Sequence, residues 1–228
     1  MTDPGAPPPA AAADQPSFEL PSELAIETGV ARRIIVDFIR AQLRQAGFER
    51  LVLGLSGGID SALVAYLAAE AVGPDRLLCV LMPYRTSSRE SVTDAEAVVA
   101  DLGCPSELAD ISSIVDAWFE RPENEDATPL RRGNLMARSR MMVLYDRSVT
   151  WRGLVIGTGN KTETLIGYTT IFGDSACAMA PIADLYKTRC GSSRWPWGCP
   201  TRWSAQGAQR RPVAGARPTR PRSASATP

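Results

Sequence analysis

The sequence predicts an α/β fold, a doubly wound parallel sheet with helices on both faces. Two observations support this prediction. Short, continuous apolar runs, typical of strands buried on both sides, alternate with longer segments of helical periodicity. The first of these runs ends in a glycine-rich turn, from which a helix starts. Strands and helices that alternate in this way build parallel sheets, which bind ligands beyond the carboxyl ends of their strands.

The chain first predicts a helix, a strand and a second helix. The first helix stops at Gly47, and its apolar stripe has helical spacing: Ile34, Ile35, Phe38, Ile39 and Leu43. Residues 51–55 are a continuous apolar run, which indicates a buried strand. The second helix ends at Gly73, and its buried stripe consists of Leu63, Val64, Leu67 and Ala71.

The later elements continue the alternation. Residues 77–82 predict another buried strand, and Ser87 with Glu90 fits a capping box for a helix that ends at Gly103. The remaining pattern predicts a short strand within 104–111, an amphipathic helix over 111–119, a polar mobile loop over 121–128, a helix over 130–147 and a strand over 153–157.

Composition excludes several classes of protein. The chain of 228 residues contains no histidine, so it has no Ser-His-Asp or Cys-His nucleophile and no His-ligated metal. It has an odd number of cysteines, five, and no Cys-x-x-Cys pair, so buried thiols are expected rather than a disulfide framework or a zinc site. No apolar run reaches the roughly 20 residues of a membrane span, and no signal peptide precedes the body. We therefore expect a cytoplasmic protein that binds no membrane.

Residues 51–61, Leu-Val-Leu-Gly-Leu-Ser-Gly-Gly-Ile-Asp-Ser, are the most informative segment. Gly57 and Gly58 allow the backbone to approach a ligand closely, and the amides that open the next helix point towards an anion. The common phosphate-binding loop needs a lysine at this place, and none is present. Asp60 stands there instead, and a carboxylate suits a Mg²⁺ ion that bridges phosphate oxygens. The loop therefore predicts a phosphate site that relies on a divalent ion.

This loop resembles the Ser-Gly-Gly-x-Asp-Ser loop of the ATP pyrophosphatases, which cleave ATP between its α and β phosphates to adenylate a substrate. Three further segments follow in order: residues 133–141 (Gly-Asn-Leu-Met-Ala-Arg-Ser-Arg-Met), residues 157–163 (Gly-Thr-Gly-Asn-Lys-Thr-Glu), and Phe-Gly-Asp at 172–174 with Pro-Ile-Ala-Asp-Leu-Tyr-Lys-Thr at 181–188. Together the four motifs resemble NAD synthetase, of the ammonia-dependent type. The resemblance implies an adenine nucleotide alpha hydrolase-like fold.

The resemblance also implies roles for individual residues. ATP is expected to contact the loop, Thr158 and Lys187, the loop residues being Gly54, Leu55, Ser56, Gly57, Gly58, Ile59, Asp60 and Ser61. The Mg²⁺ ligands are expected to be Asp60 and Glu163, and the dinucleotide contacts Asn134, Arg138 and Asp174. Asp60, Lys187 and Asp174 are the expected catalytic residues. Ile171 and Ala178 depart from the family, some of whose members carry a lysine and an aspartate there.

The implied reaction is the amidation of nicotinic acid adenine dinucleotide by ammonia, with ATP as a substrate and Mg²⁺ as cofactor, through a carboxyl adenylate. The segment before residue 25 is too short for an amidase domain, so free or separately supplied ammonia is expected. A homodimer is also implied. The alternatives are another ATP pyrophosphatase, such as a GMP synthetase-like or tRNA-modifying enzyme, and an inactive nucleotide-binding remnant. An acidic body argues against a tRNA substrate, and we expect no nucleic-acid partner.

Three regions are predicted: a disordered Pro/Ala-rich arm (1–23), the ATP pyrophosphatase domain (24–188) and an Arg/Pro-rich tail (189–228). The tail contains eight arginines and no acidic residue, so it carries +8 and the preceding chain −8. Its residues use GC-rich codons, and suitable codons read one frame over permit an amphipathic segment followed by an acidic one. We therefore expect the tail to be disordered and the product of a frameshift after Thr188, with weak or absent activity. Sequencing of the source gene tests this hypothesis.

Overall fold

The computed structural model describes residues 26–124 and 126–190, which contain a four-stranded parallel sheet. Its strands are β1 (Arg50–Gly54), β2 (Leu77–Leu81), β3 (Ser106–Leu108) and β4 (Gly153–Ile156), in the order β3-β2-β1-β4. The helices are α1 (Thr28–Ala46), α2 (Ile59–Val72), α3 (Arg89–Leu102), α4 (Ser112–Phe119), α5 (Pro129–Trp151), α6 (Lys161–Ile166) and α7 (Lys187–Cys190). The predicted α/β fold is confirmed.

The sheet order determines where a ligand can bind. The chain moves from β1 to β2 and β3 on one side, and then returns to place β4 on the other side of β1. Loops that leave the carboxyl ends of β1 and β4 therefore diverge, and a crevice opens at such a point in an open α/β sheet. The glycine-rich loop follows β1, and Thr158 follows β4.

Alternate residues of β1 and β2 contribute to two hydrophobic cores, one on each face of the sheet. Leu51 and Leu53 lie in the core formed with α1, α2 and α3, whereas Val52 lies in the core formed with α4 and α5. The helix α2 is buried on all sides from Ser61 to Ala69. A helix that is apolar around its whole circumference belongs inside a domain, so α2 is held rigidly with its N-terminus at the crevice.

The predicted helix ends agree with the structure at two glycines and differ at one start. Gly47 and Gly103 adopt left-handed conformations that close α1 and α3, as predicted. The capping box of Ser87 and Glu90 is wrong by one residue, because Ser88 is the N-cap of α3 and accepts from the Ser91 N–H. Ser87 instead uses its hydroxyl to accept from the backbone N–H of Tyr84, in the preceding turn.

The predicted stripe of α1 is also partly wrong. Ile34 and Phe38 are exposed, and the face that packs on the core consists of Ala31, Ile35, Val36, Ile39 and Leu43. Both sets have helical spacing, so the amphipathic pattern alone permits either rotation of the helix. Contact with α2 selects the second one.

Other predictions concern the termini and the thiols. The arm and the tail beyond Cys190 lie outside the described residues. The helix α7 (Lys187–Cys190) crosses the predicted boundary between the domain and the tail, which was placed after residue 188. Cys79, Cys104 and Cys190 are buried free thiols, Cys177 is partly buried, and Cys199 lies outside the described residues. Within 26–124 and 126–190, no helix is both long enough and apolar enough to cross a bilayer.

Candidate functional site

The turn between β1 and α2 is held by the two serines of its motif. The hydroxyl of Ser61 accepts from the backbone N–H of Ser56 at 3.2 Å and donates to the carbonyl of Gly58 at 2.9 Å. The Ser56 hydroxyl accepts from the backbone N–H of Gly58 at 3.3 Å. These bonds fix a short loop that wraps around the start of α2.

Gly57 has no acceptable substitute in this loop. Its φ is +77°, a left-handed conformation that glycine adopts without strain. A Cβ at this position would lie 2.0 Å from the carbonyl oxygen of Ser91, in the first turn of α3. The glycine therefore allows the loop to pack directly on the backbone of a neighbouring helix.

The N-terminus of α2 has no side-chain cap. Its N-cap residue is Gly58, whereas α3, α5 and α6 are capped by a serine, a threonine and an asparagine. The first backbone N–H groups of a helix need an acceptor, and their aligned dipoles favour a negative charge. The loop and the start of α2 thus form a site suited to a phosphate group.

Three charged side chains meet beside this loop. The Lys187 ammonium lies 2.9 Å from a carboxylate oxygen of Asp60 and 3.0 Å from one of Glu163. Burial opposes the charge of Lys187, but its contacts with the two carboxylates outweigh that effect and raise its pKa above the usual 10.5. The lysine is therefore a cation at neutral pH, and its single charge offsets part of the charge of the two carboxylates.

The two carboxylates fit a divalent cation. Both converge on one point, which the Lys187 ammonium occupies, and Oδ1 of Asp60 is buried without a hydrogen-bond partner. Hard oxygen donors of this kind are what Mg²⁺ prefers, and the ion usually completes its shell with water and substrate phosphates. Among the described residues, no group of three or more acidic, cysteine or histidine side chains forms a metal site. An ion here would need ligands from a bound nucleotide.

Local structure positions Glu163 and Lys187. Asn160 caps α6 by accepting from the Glu163 N–H at 3.0 Å, and its side chain is fully buried. The Thr162 hydroxyl accepts from the backbone N–H of Lys187 at 3.0 Å, and the Lys161 N–H donates to the carbonyl of Leu185. These bonds join the start of α6 to the segment that leads into α7, and they bring together residues far apart in sequence.

A cavity of about 560 Å³ lies beyond the carboxyl ends of β1, β2 and β4. Its lining contains Asp60, Glu163 and Lys187, and also Thr158 and Asp174. Of the eight predicted loop residues, six line the cavity: Gly54, Leu55, Ser56, Gly58, Asp60 and Ser61. The other two lie behind it, because Gly57 packs on α3 and Ile59 packs against the core.

The three predicted dinucleotide residues are distributed differently. Asp174 organises the loop after α6, since it accepts from the Thr170 N–H at 2.6 Å. Asn134 accepts from the Thr170 hydroxyl, and Arg138 donates to the carbonyl of Ile171. In this structure Asn134 and Arg138 therefore hold that loop against α5 and are not part of the cavity lining. Their contact with a dinucleotide stays a prediction.

Sequence reasoning missed one charged residue of the cavity lining. Arg140, two positions after Arg138, lines the cavity and donates from Nε to the carbonyl of Met82 at 3.0 Å. Positions i and i+2 lie on different faces of a helix, so the two arginines point in different directions. The signal was present in the Arg-x-Arg spacing, but only the packing of α5 on β1 and β4 shows which arginine faces the cavity.

Comparisons with family models, curated proteins and solved structures all find NAD synthetases. A family model described as NAD synthase matches residues 31–218. A curated relative, the NH(3)-dependent NAD(+) synthetase of Chlorobaculum parvum, is 53% identical over 170 residues, which are 74% of this chain and 60% of the relative. The chain thus spans about 60% of the length of these curated relatives.

Two solved structures have the same fold. The NH3-dependent NAD synthetase of Campylobacter jejuni, in complex with the nitrate ion, matches with a TM-score of 0.74 and 38% identity, over 80% of this chain and 78% of the other. The NMN synthetase of Francisella tularensis matches with a TM-score of 0.73 and 27% identity, over 79% and 74% of the two chains.

Proposed function

Because the chain belongs to the NAD synthase family, we propose that it amidates nicotinic acid adenine dinucleotide with ammonia at the expense of ATP. The products are NAD, AMP and pyrophosphate. The observation that carries the proposal is the convergence of Asp60, Glu163 and Lys187 beside an uncapped helix N-terminus. A site with these charges suits a polyphosphate that arrives with a divalent ion.

ATP is proposed to bind with its phosphates on the loop. The amides at the start of α2 face the leaving pyrophosphate, and Ser56 and Ser61 keep the loop in shape. Thr158 lies across the crevice at the end of β4, where its hydroxyl can reach the nucleotide. The hydrogen bonds of Ser56 and Ser61 hold the loop amides in fixed positions. Donors held in this way need no rearrangement when charge develops in the reaction.

Asp60 and Glu163 are the proposed Mg²⁺ ligands. Bound there, Mg²⁺ would neutralise phosphate charge and help pyrophosphate to leave. Lys187 contacts the same two carboxylates in this structure. An ion held by both carboxylates would take the place of its ammonium, which would then lie close to the phosphates. The lysine thus offsets the repulsion of two like charges and is a proposed phosphate contact.

The chemical step joins two anions, the nicotinate carboxylate and the α-phosphate. Lys187 and the loop amides offset their repulsion and hold them in line. A carboxylate oxygen forms a bond to the α-phosphorus as the bond to pyrophosphate breaks. Ammonia then attacks the activated carbonyl, loses a proton to solvent and expels AMP. Asp174, at the cavity edge, is the proposed contact for the reacting end of the dinucleotide. The reaction needs no covalent enzyme intermediate. This fits a sequence that contains no histidine to activate a serine or cysteine nucleophile.

A homodimer in the cytoplasm is part of the proposal. The long helix α5 has one fully buried residue, Ser139, and exposes the apolar side chains of Leu130, Met142, Tyr145 and Val149. Apolar surface of this kind favours contact with a second copy. Sedimentation velocity measures the mass directly, and a monomer at all concentrations would contradict this part of the proposal.

The test is AMP formation from ATP, ammonium and nicotinic acid adenine dinucleotide by the full chain. AMP and NAD must appear together, and Glu163→Gln must abolish both. The matched control is Glu49→Gln, which removes an exposed acid that pairs only weakly with Arg76, 3.7 Å away. Turnover with a different acceptor alone, such as nicotinic acid mononucleotide or a purine nucleotide, would refute the proposed substrate. ATP binding without turnover would favour a nucleotide-binding remnant.

A further inference from the structure

Arg140 is the charged residue of the cavity lining to which neither the sequence motifs nor the proposed reaction gives a role. It projects from α5 towards the carboxyl end of β2, where its Nε donates to the carbonyl of Met82. Its two terminal guanidinium nitrogens make no hydrogen bond with any other described residue, although the side chain lines the cavity. One edge of the guanidinium is therefore fixed, and the other edge is free to bind a ligand.

The charge of Arg140 has no carboxylate partner within residues 26–124 and 126–190. Other arginines of the same helix do have one: Arg147 lies 2.6 Å from Glu107, and Arg131 lies 3.5 Å from Asp126. Burial lowers the pKa of the Arg140 guanidinium, which shows that the charged form is poorly solvated. A charge removed from water is costly unless it is paired, so this position favours an incoming anion.

The second cation of the cavity lining is already engaged. Lys187 contacts both Asp60 and Glu163, and the remaining acid, Asp174, accepts from the loop after α6. Arg138 is exposed and donates to the carbonyl of Ile171. Among the described cations of the lining, Arg140 is thus the one available to a ligand without first breaking an ion pair.

The position of Arg140 relative to the loop indicates which group it meets. The Leu55 N–H donates to the carbonyl of Val80, so the end of β1 is paired with β2 two residues before Met82. Met82 and Ser56 therefore follow the carboxyl ends of two neighbouring strands, and both line the cavity. A guanidinium bound to Met82 faces the same crevice as the loop amides, from the β2 side.

We propose that Arg140 binds a phosphoryl group in the crevice, with its free edge donating two hydrogen bonds to the phosphate oxygens. The inference rests on the proposed function, because it needs a phosphorylated ligand. The planar fork of arginine matches two phosphate oxygens, and the bond to Met82 fixes its direction. The phosphate belongs either to ATP or to the dinucleotide. Both ligands carry phosphate groups, so the same hydrogen bonds can form with either one.

The experiment measures dissociation constants by calorimetry for the full chain and three variants, Arg140→Met, Arg140→Lys and Arg147→Met. The ligands are α,β-methylene-ATP with Mg²⁺, AMP, pyrophosphate and nicotinic acid adenine dinucleotide. Hydrogen bonds to a charged group contribute about 1.5–3 kcal/mol, so Arg140→Met is expected to weaken binding about ten- to a hundredfold. Arg140→Lys retains the charge without the fork and should recover only part of this loss. Arg147→Met removes an arginine of the same helix and should leave every constant unchanged.

Each outcome supports or refutes the inference. Weaker binding of AMP and the ATP analogue assigns the contact to ATP, and weaker binding of the dinucleotide alone assigns it to the second substrate. Unchanged constants in Arg140→Met, with a lower melting temperature, would show that Arg140 only supports Met82 and would overturn the inference. If the unmodified chain binds the ATP analogue or the dinucleotide and Arg140→Met binds each of these ligands equally well, only the inference fails. If the unmodified chain binds none of the four ligands, the proposed function fails with it.

Discussion

Replacing Gly57 with alanine tests the construction of the phosphate loop. The left-handed backbone at φ +77° costs a residue with a Cβ about 1–2 kcal/mol. The added carbon would also lie 2.0 Å from the Ser91 carbonyl oxygen, a backbone atom that cannot rotate away. Relief of such a contact requires the loop or α3 to shift, at a further cost of about 1–3 kcal/mol. Gly57→Ala is therefore expected to lower the free energy of unfolding by about 2–5 kcal/mol.

Gly47→Ala provides a matched control. Gly47 has a similar φ of +73°, but a Cβ there meets no atom within 4 Å. This variant should lose only the backbone contribution, about 1–2 kcal/mol, and should bind ATP normally. Urea denaturation measures both free energies, and calorimetry measures the affinity for ATP. Equal stabilities for the two variants, or normal ATP affinity in Gly57→Ala, would refute the claim that close packing on α3 shapes the loop.

Three other variants address the charged cluster. Asn160→Ala should cost about 1 kcal/mol of stability because α6 loses its cap, and Asn160→Asp, which keeps the acceptor, should restore most of it in denaturant titrations. The stability difference between the unmodified chain and Lys187→Met should stay constant from pH 7 to about 10. The raised pKa of Lys187 stabilises the folded chain below the usual lysine value of 10.5, and this contribution disappears only above it. A difference that already declines near pH 8 would contradict the raised pKa. Asp60→Asn should remove the dependence of ATP affinity on Mg²⁺, because the ion loses one of its proposed ligands. Calorimetry with and without the ion measures this dependence, and a dependence that persists would contradict the role of Asp60.

The sequence predicted β1, β2 and β4 well because these strands are continuous apolar runs. The runs at 51–55 and 77–82 leave little choice, since each must be buried on both sides. The glycines after α1 and α3 are equally informative, because a left-handed helix end favours glycine. Elements defined by local chemistry were therefore predictable to within a residue or two.

Features that depend on packing were not predictable in the same way. Ile34 and Ala31 both fit the periodicity of α1, and contact with α2 decides between them. Asp60 and Lys187 are 127 residues apart, so only the resemblance to a family suggested that both belong to one site. The family resemblance implied a role for Arg138 and none for Arg140, and spacing along a helix does not tell which of the two faces the cavity.

The most direct measurement is a crystal structure of the full chain with ATP and Mn²⁺, an ion whose anomalous scattering locates it independently of the nucleotide. The account predicts a single strong anomalous peak between the carboxylates of Asp60 and Glu163. It also predicts that Lys187 has turned from them towards the phosphates, which lie on the amides of the 56–58 loop. A nucleotide bound elsewhere, or an ion that contacts neither carboxylate while Lys187 keeps both, would contradict the account.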